Sequence, residues 1–185
     1  SDGARIESVY LPDSGRHTIC LSSQVGCSLD CTFCATGKMD FIRNLTAAEI
    51  VAQLIAIQRR VEERISNVVF MGMGEPLMNY KNVVKSIEKI TDPEGLGMSP
   101  KRITVSTSGV PKIIKKMADD EVKFNLAVSL HSALDDVRTD IMPFNEQMPL
   151  QELKEALQYW YVKTKKRITY EYVVWRGIND QDKDI

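Results

Sequence analysis

The chain has 185 residues, 43% hydrophobic and 26% charged, with a net charge of −1. These values suit a soluble globular domain with its own core, and they give no global argument for nucleic-acid binding, which goes with a basic domain. No apolar run approaches the roughly 18 residues of a membrane span, so no membrane association is expected; the chain begins at Ser1 rather than Met, which leaves targeting signals open.

Residues 5–21 read as an extended hairpin: IESVYL alternates, Pro12-Asp13-Ser14-Gly15 is the turn, and HTICL is the second strand. After a cysteine-rich loop, Thr46-Ala-Ala-Glu49 is a capping box ahead of Ile50, Leu54, Ile57 and Val61, so a helix starts there. Asn67–Met71 is a short apolar strand. Residues 79–91 are helical, with Val83, Val84, Ile87 and Ile90 on one face. Residues 102–106 form a strand, and Pro111 sits in the first turn of the helix after it. Residues 124–130 form the next strand, followed by a short helix at 135–141 and a longer one at 150–163. Residues 168–175 read as the last strand, and Asn179-Asp180-Gln181-Asp182 as the start of a further helix.

Strands alternating with helices in this way imply βαβ units and a parallel sheet of about five strands. Parity adds to this. Leu126, Val128 and Leu130 oppose Ala127, Ser129 and His131; Ile103 and Val105 oppose Thr104, Ser106 and Ser108; Ile168, Tyr170 and Tyr172 oppose Thr169, Glu171 and Val173. A sheet covered on both faces is greasy on both. One apolar and one small or polar face suits a partial TIM-like (βα) barrel, with helices outside and a polar ligand within. Its functional groups then sit at the carboxyl ends of the strands, where Gly74-Glu75, Ser106, Ser129 and His131 fall.

All four cysteines lie between Cys20 and Cys34, which argues for a metal site in a reducing compartment, the cytoplasm, rather than a disulfide framework. Cys27, Cys31 and Cys34 have the spacing C-x3-C-x2-C. Three thiolates can hold three irons of a 4Fe–4S cluster and leave the fourth open to a ligand. The competing filling is structural zinc, closed by Cys20 or His17. A loop holding only three close cysteines, placed before a parallel βα barrel, favours the open cluster, with Phe33 shielding it.

This spacing, followed by a strand ending Gly-Glu-Pro, resembles the radical-SAM superfamily. Cys20-Leu-Ser-Ser-Gln-Val-Gly-Cys27, Met71-Gly-Met-Gly-Glu-Pro76, Ser106-Thr-Ser-Gly109 and Ser129-Leu-His131 closely resemble the bacterial dual-specificity methyltransferases that methylate carbon 2 of adenosine in 23S rRNA and tRNA. The resemblance implies residues 1–185 are the core domain of that family, truncated within the barrel, with an accessory N-terminal domain and the C-terminal strand and tail absent. It implies a 4Fe–4S cluster on Cys27, Cys31 and Cys34, and S-adenosyl-L-methionine (SAM) at Gly74, Glu75, Ser106, Ser129, Leu130 and His131. It further implies that Cys20 helps resolve a protein–RNA adduct and that Glu7 accepts a proton. The implied partners are 23S rRNA, tRNA and a reductant such as flavodoxin, and the implied state is a monomer. The family's methyl-carrying cysteine lies near its C-terminus, whereas this chain has no cysteine after Cys34. The chain alone is therefore expected to bind a cluster but not to methylate RNA.

Each residue also has a plainer reading. Glu75 can be a solvated turn acid, Ser106 and Ser129 satisfied strand polars, and Cys20 a small buried apolar residue. Glu7 can be an exposed acid on an alternating strand. Met71, Met73 and Trp160 read as core. Arg59/Arg60, Lys112/Lys115/Lys116 and Lys163/Lys165/Lys166/Arg167 are candidate RNA contacts or solvated helix faces. The alternatives in function are carbon-8 methylation of the same kind of adenosine, another radical-SAM activity, and a non-enzymatic zinc-stabilised RNA-binding domain.

Overall fold

In the computed structural model, which describes residues 2–184, the hairpin forms between Val9–Asp13 (β1) and Arg16–Cys20 (β2), antiparallel from Val9 opposite Cys20 to Asp13 opposite Arg16. Pro12 lies inside β1 rather than in the turn. It is tolerated because β1 is the outer strand of the sheet, where proline forfeits no ladder bond. Two short strands, Gln24–Val25 (β3) and Arg43–Asn44 (β4), pair antiparallel and clasp the base of the cysteine loop.

Helix α1, Ala47–Gln58, begins at the expected capping box: the Glu49 N–H donates to Thr46 Oγ1 at 3.2 Å, and the Thr46 N–H to Glu49 Oε2 at 2.8 Å. The helix stops at Gln58, so Val61 packs on the core from beyond its end rather than from its apolar face. The chain then alternates as expected: Asn67–Phe70 (β5), Tyr80–Thr91 (α2), Ile103–Thr107 (β6), Pro111–Asp119 (α3) and Asn125–Ser129 (β7). Asp135–Ile141 (α4), Leu150–Thr164 (α5) and Ile168–Glu171 (β8) follow.

The six-stranded sheet runs β1-β2-β5-β6-β7-β8, parallel from β2 onward. Ile19, Val68, Phe70, Ile103, Val105, Leu126 and Val128 turn to one face, where Ile50, Leu54, Val83, Ile87, Ile114, Met117, Leu153 and Trp160 pack over them from the helices. Through the register, Cys20 shares the other face with Val69, Thr104 and Asn125, and Ser129 shares it with Glu171. Most of those residues are only partly covered. This one-sided burial is the partial barrel expected from parity. Among the described residues, no helix is long and apolar enough to cross a membrane.

The last strand ends at Glu171 rather than Trp175. The next residues leave the ladder because Asn179, fully buried, draws them into a loop. Its Nδ2 donates to Val173 O at 2.8 Å and to His131 O at 2.6 Å, and its Oδ1 accepts from the Trp175 N–H at 2.6 Å. Asn179 is thus a loop hub and not a helix start; only a single 3-10 turn forms, at Asp182–Asp184.

Candidate functional site

A cavity of about 200 Å³ opens at the carboxyl ends of β5 to β8, roofed by the cysteine loop. Cys27, Cys31 and Cys34 line it together with Gly74, Glu75, Ser106, Ser129 and His131, so eight of the residues singled out in the sequence meet in one place. A larger groove of about 630 Å³ lies between α5 and β8, but its walls are Leu150, Leu153, Leu157, Ile168 and similar residues with no convergent acid or thiol.

The cysteine loop is shaped by the backbone around it. The Cys34 N–H donates to Cys31 O at 3.1 Å, closing a tight turn, and the Leu29 N–H points at Cys27 Sγ at 3.4 Å. The Thr32 N–H and Oγ1 both donate to Ile141 O, at 3.0 and 3.2 Å, tying the loop to the end of α4. Gly26 precedes it at φ +75°, where an added Cβ would fall 2.0 Å from Asp40 O, so only glycine passes there. All four cysteines are free. Burial and the neighbouring thiols push the Cys31 thiol up to about 12, and burial also raises Cys20 and Cys27.

The loop tests which metal group fits. Among the described residues, no three His, Cys, Asp or Glu side chains converge on a point where a single ion would sit. His17, one candidate fourth zinc ligand, has its Nδ1 engaged by Tyr10 Oη at 2.6 Å, away from the loop. A cluster spreads its thiolates over separate irons and needs no such convergence. Three free thiols lining one open cavity fit a cluster, which takes one thiolate per iron and leaves a position open to a ligand.

Glu75 is not a solvated turn acid. It is 3% exposed, and its carboxylate accepts from the Leu77 N–H (2.9 Å), Thr107 Oγ1 (2.7 Å) and the Ser108 N–H (2.8 Å). Its own N–H donates to Gln24 Oε1 at 2.8 Å. Gly74, at φ +94°, passes so close to Gln24 that a Cβ would lie 2.4 Å from that side chain's Cβ.

Ser106 and Ser129 donate to the same oxygen, Glu171 Oε2, at 2.8 and 3.0 Å. Sequence reasoning missed Glu171 as a site residue; the signal was its parity, which put it on the polar face, but its partners come from two other strands. His131 is 4% exposed with φ +59°, in the left-handed region that few non-glycine residues adopt. The Val173 N–H donates to its Nδ1 at 3.1 Å, so the neutral ring carries its proton on Nε2. Burial, with the Arg138 charge second, holds its pKa below the ordinary range. Phe33 and Trp175 pack on the His131 ring at centroid distances of 5.0 and 5.8 Å, and on each other at 5.0 Å.

Other sequence expectations fall elsewhere. Leu130 sends its side chain into the α5–β8 groove, while its N–H donates to Glu171 O and its O accepts from Arg138. Cys20 is half-buried on the polar sheet face but does not line the cavity. Glu7 is exposed, and only its backbone oxygen is held, by Ser22 Oγ at 2.7 Å. Met71 is 44% exposed at the cavity rather than core, whereas Met73 and Trp160 are buried. Among the basic groups, Lys116 pairs with Asp120 at 2.9 Å and Lys163 with Asp119 at 3.2 Å. Lys166 is spent on Val122 O at 2.6 Å. Arg59/Arg60 follow the end of α1 and Lys165/Lys166/Arg167 the end of α5, ahead of β5 and β8, at the end of the sheet opposite the cavity. Lys112 and Lys115 remain exposed on α3.

A family model described as the radical SAM superfamily matches residues 21–185. A curated relative from Christiangramia forsetii, "Probable dual-specificity RNA methyltransferase RlmN", is 64% identical over 99% of this chain and 53% of its own length. The protein of the same name from Thermus thermophilus is 46% identical over 97% and 51%. A crystal structure of a radical SAM methyltransferase from Sphaerobacter thermophilus superposes with a TM-score of 0.96 at 42% identity, covering 99% of this chain and 55% of that one. The chain spans about half the length of the curated relatives it matches.

Proposed function

The chain belongs to the radical SAM superfamily, and from that premise we propose that residues 1–185 are the core domain of a longer RNA methyltransferase acting on carbon 2 of adenosine in 23S rRNA and tRNA. The observation that carries the reading is the single cavity in which three unpaired thiols meet the carboxyl ends of four parallel strands. In this reading Cys27, Cys31 and Cys34 hold a 4Fe–4S cluster. When bound, the cluster supplies an electron for reductive cleavage of SAM, and a low-potential reductant of the flavodoxin kind replenishes it.

The chain's own groups then bind and orient SAM. Gly74 lets the backbone approach closely, and Glu75 braces that turn through its three donors. Ser106 and Ser129 present hydroxyl oxygens, with Glu171 behind them as the carboxylate that fixes their protons. His131 offers its Nε2 proton to the cavity, because Val173 occupies Nδ1. Phe33, which lines the cavity and packs against His131 and Trp175, provides an apolar flank for a purine ring. Cys20, half-buried and held protonated by burial, is a reserve thiol for resolving a protein–RNA adduct, and Glu7 is a proton acceptor on the segment pinned by Ser22. The remaining activity, including RNA recognition, belongs to the whole protein.

The test is anaerobic reconstitution with iron and sulfide, metal analysis, then dithionite and SAM. A brown protein with iron and sulfide, forming 5′-deoxyadenosine, is expected, and Cys27→Ala, Cys31→Ala or Cys34→Ala abolishes both. One equivalent of zinc with no iron or sulfide overturns the reading. On the whole protein, carbon-2 methyladenosine in an rRNA hairpin is the expected product.

A further inference from the structure

Arg138, on α4, is fully buried at 0% exposure, yet none of its hydrogen-bond partners is an anion. Its Nε donates to Leu130 O at 3.1 Å, its Nη2 to Ser129 O at 3.3 Å and to Ser108 O, and its Nη1 to Asn145 Oδ1. Phe144 covers the guanidinium, with 5.4 Å from Cζ to the ring centroid. Four neutral acceptors hold the group in place but do not neutralise it, and an unneutralised buried charge is expensive.

Burial pulls its pKa down to about 10, which leaves it charged at neutral pH, and Asp135 is an anion that acts on it. Asp135 is already committed, accepting from Asn145 Nδ2 and the Leu150 N–H, each at 2.8 Å. The placement is rigid. At the end of the same helix, Ile141 O holds Thr32, the residue after Cys31, and Ile141 and Met142 pack directly on Cys31 and Leu29. At its other side Arg138 grips the ends of β6 and β7, beside Ser108 and Ser129 of the cavity.

We infer that Arg138 is the fixed counter-charge of the iron–sulfur centre, a positioning residue that raises the centre's reduction potential without touching it. The inference rests on the cluster reading above. Reduction adds one electron to the centre and takes it from a low-potential donor, here dithionite. No bond forms or breaks, and the centre becomes more negative by one charge. A nearby fixed positive charge stabilises that state over the oxidised one. Taking the charge away lowers the potential.

The experiment is an anaerobic redox titration of the reconstituted protein, followed by electron paramagnetic resonance of the reduced centre. Arg138→Gln removes the charge, and Arg138→Lys keeps it. Asn145→Asp keeps an acceptor for Nη1 and makes it a carboxylate, while giving up the bonds from Nδ2 to Asp135 and Thr139. In Arg138→Gln and Asn145→Asp the reduced-to-oxidised ratio at a fixed potential is expected to fall about tenfold, about 59 mV for one electron. That is the order a unit charge roughly 10 Å away exerts at an effective dielectric of about 20. Arg138→Lys stays near the wild type. A loss of clamping alone would move Gln and Lys alike and would spare Asn145→Asp, so that pattern overturns the inference, as does an unmoved potential in a fully loaded Arg138→Gln. Should Arg138→Gln fail to fold, Asn145→Asp decides. A wild-type protein that takes up no iron and sulfide fails the cluster reading itself, whereas a normal cluster with an insensitive potential fails this inference alone.

Discussion

Replacing Glu75 by alanine separates bracing from ligand binding. The carboxylate is 3% exposed and accepts from two backbone N–H groups, of Leu77 and Ser108, and from Thr107 Oγ1. Alanine leaves both N–H groups without their acceptor, at about 1–3 kcal/mol each. Thr107 can turn its hydroxyl elsewhere, so the expected loss is about 2–6 kcal/mol, a large share of the roughly 5–15 kcal/mol that holds a domain folded. Glu75→Gln keeps the volume and one acceptor oxygen but turns an NH2 toward a donor, so it should lose less, about 1–3 kcal/mol. Guanidinium unfolding followed by far-UV circular dichroism reads both. An alanine variant within about 0.5 kcal/mol of the wild type, the usual spread of an inconsequential surface change, would refute the bracing role and leave the carboxylate free for a ligand.

Gly74→Ala forces a Cβ to 2.4 Å from Gln24 at φ +94°; SAM affinity by isothermal calorimetry should fall at least about tenfold, and an unchanged affinity would mean the turn is not at the ligand. Glu171→Gln weakens the acceptor shared by Ser106 and Ser129, so SAM binding should drop about tenfold while iron content stays at the wild-type level. Loss of iron instead would assign Glu171 to the loop. Glu49 is held at about 2 by Arg43 and the Thr46 N–H, below its ordinary 4.5. A lowered carboxylate stabilises the fold fully above pH 4.5 and loses that contribution as pH falls toward 2, so acid unfolding in this window should flatten in Glu49→Gln.

Elements whose signal is local were readable from the sequence. Thr46 and Glu49 cap α1 through their own backbone, Pro111 starts α3, and residues 135–141 form the expected helix. Parity gave the one-sided sheet, because alternation is a property of each strand alone. What failed was set by partners far along the chain. Pro12 fits a strand because β1 is the outer strand among the described residues, and β8 stops at Glu171 because Asn179 recruits the chain that follows. Met71 looked like core in an apolar run yet lies exposed at the cavity. Lys166 looked like a free cation, yet its ammonium caps carbonyl groups of the 122–124 segment.

The candidate site divides the same way. The identity of the thiols is written in their spacing, but a loop that small cannot hold its own shape. Its rigidity is borrowed from β3 and β4 at its base, Ile141 O beneath Thr32, and the ring packing of Phe33 on His131 and Trp175. Each of these supports comes from a different part of the chain, and two of them depend on α4 or on the loop organised by Asn179. The strand ends show the same dependence. Ser106 and Ser129 were legible as polar residues facing inward, but what orients their hydroxyls is a carboxylate delivered by register, with Ser129 opposite Glu171. Arg138 then links the two halves of the site, since it grips the ends of β6 and β7 from a helix that also carries the loop's anchor. A change in α4 should therefore be felt at both the thiols and the strand ends, although α4 contributes no carboxylate, hydroxyl or thiol to the cavity wall.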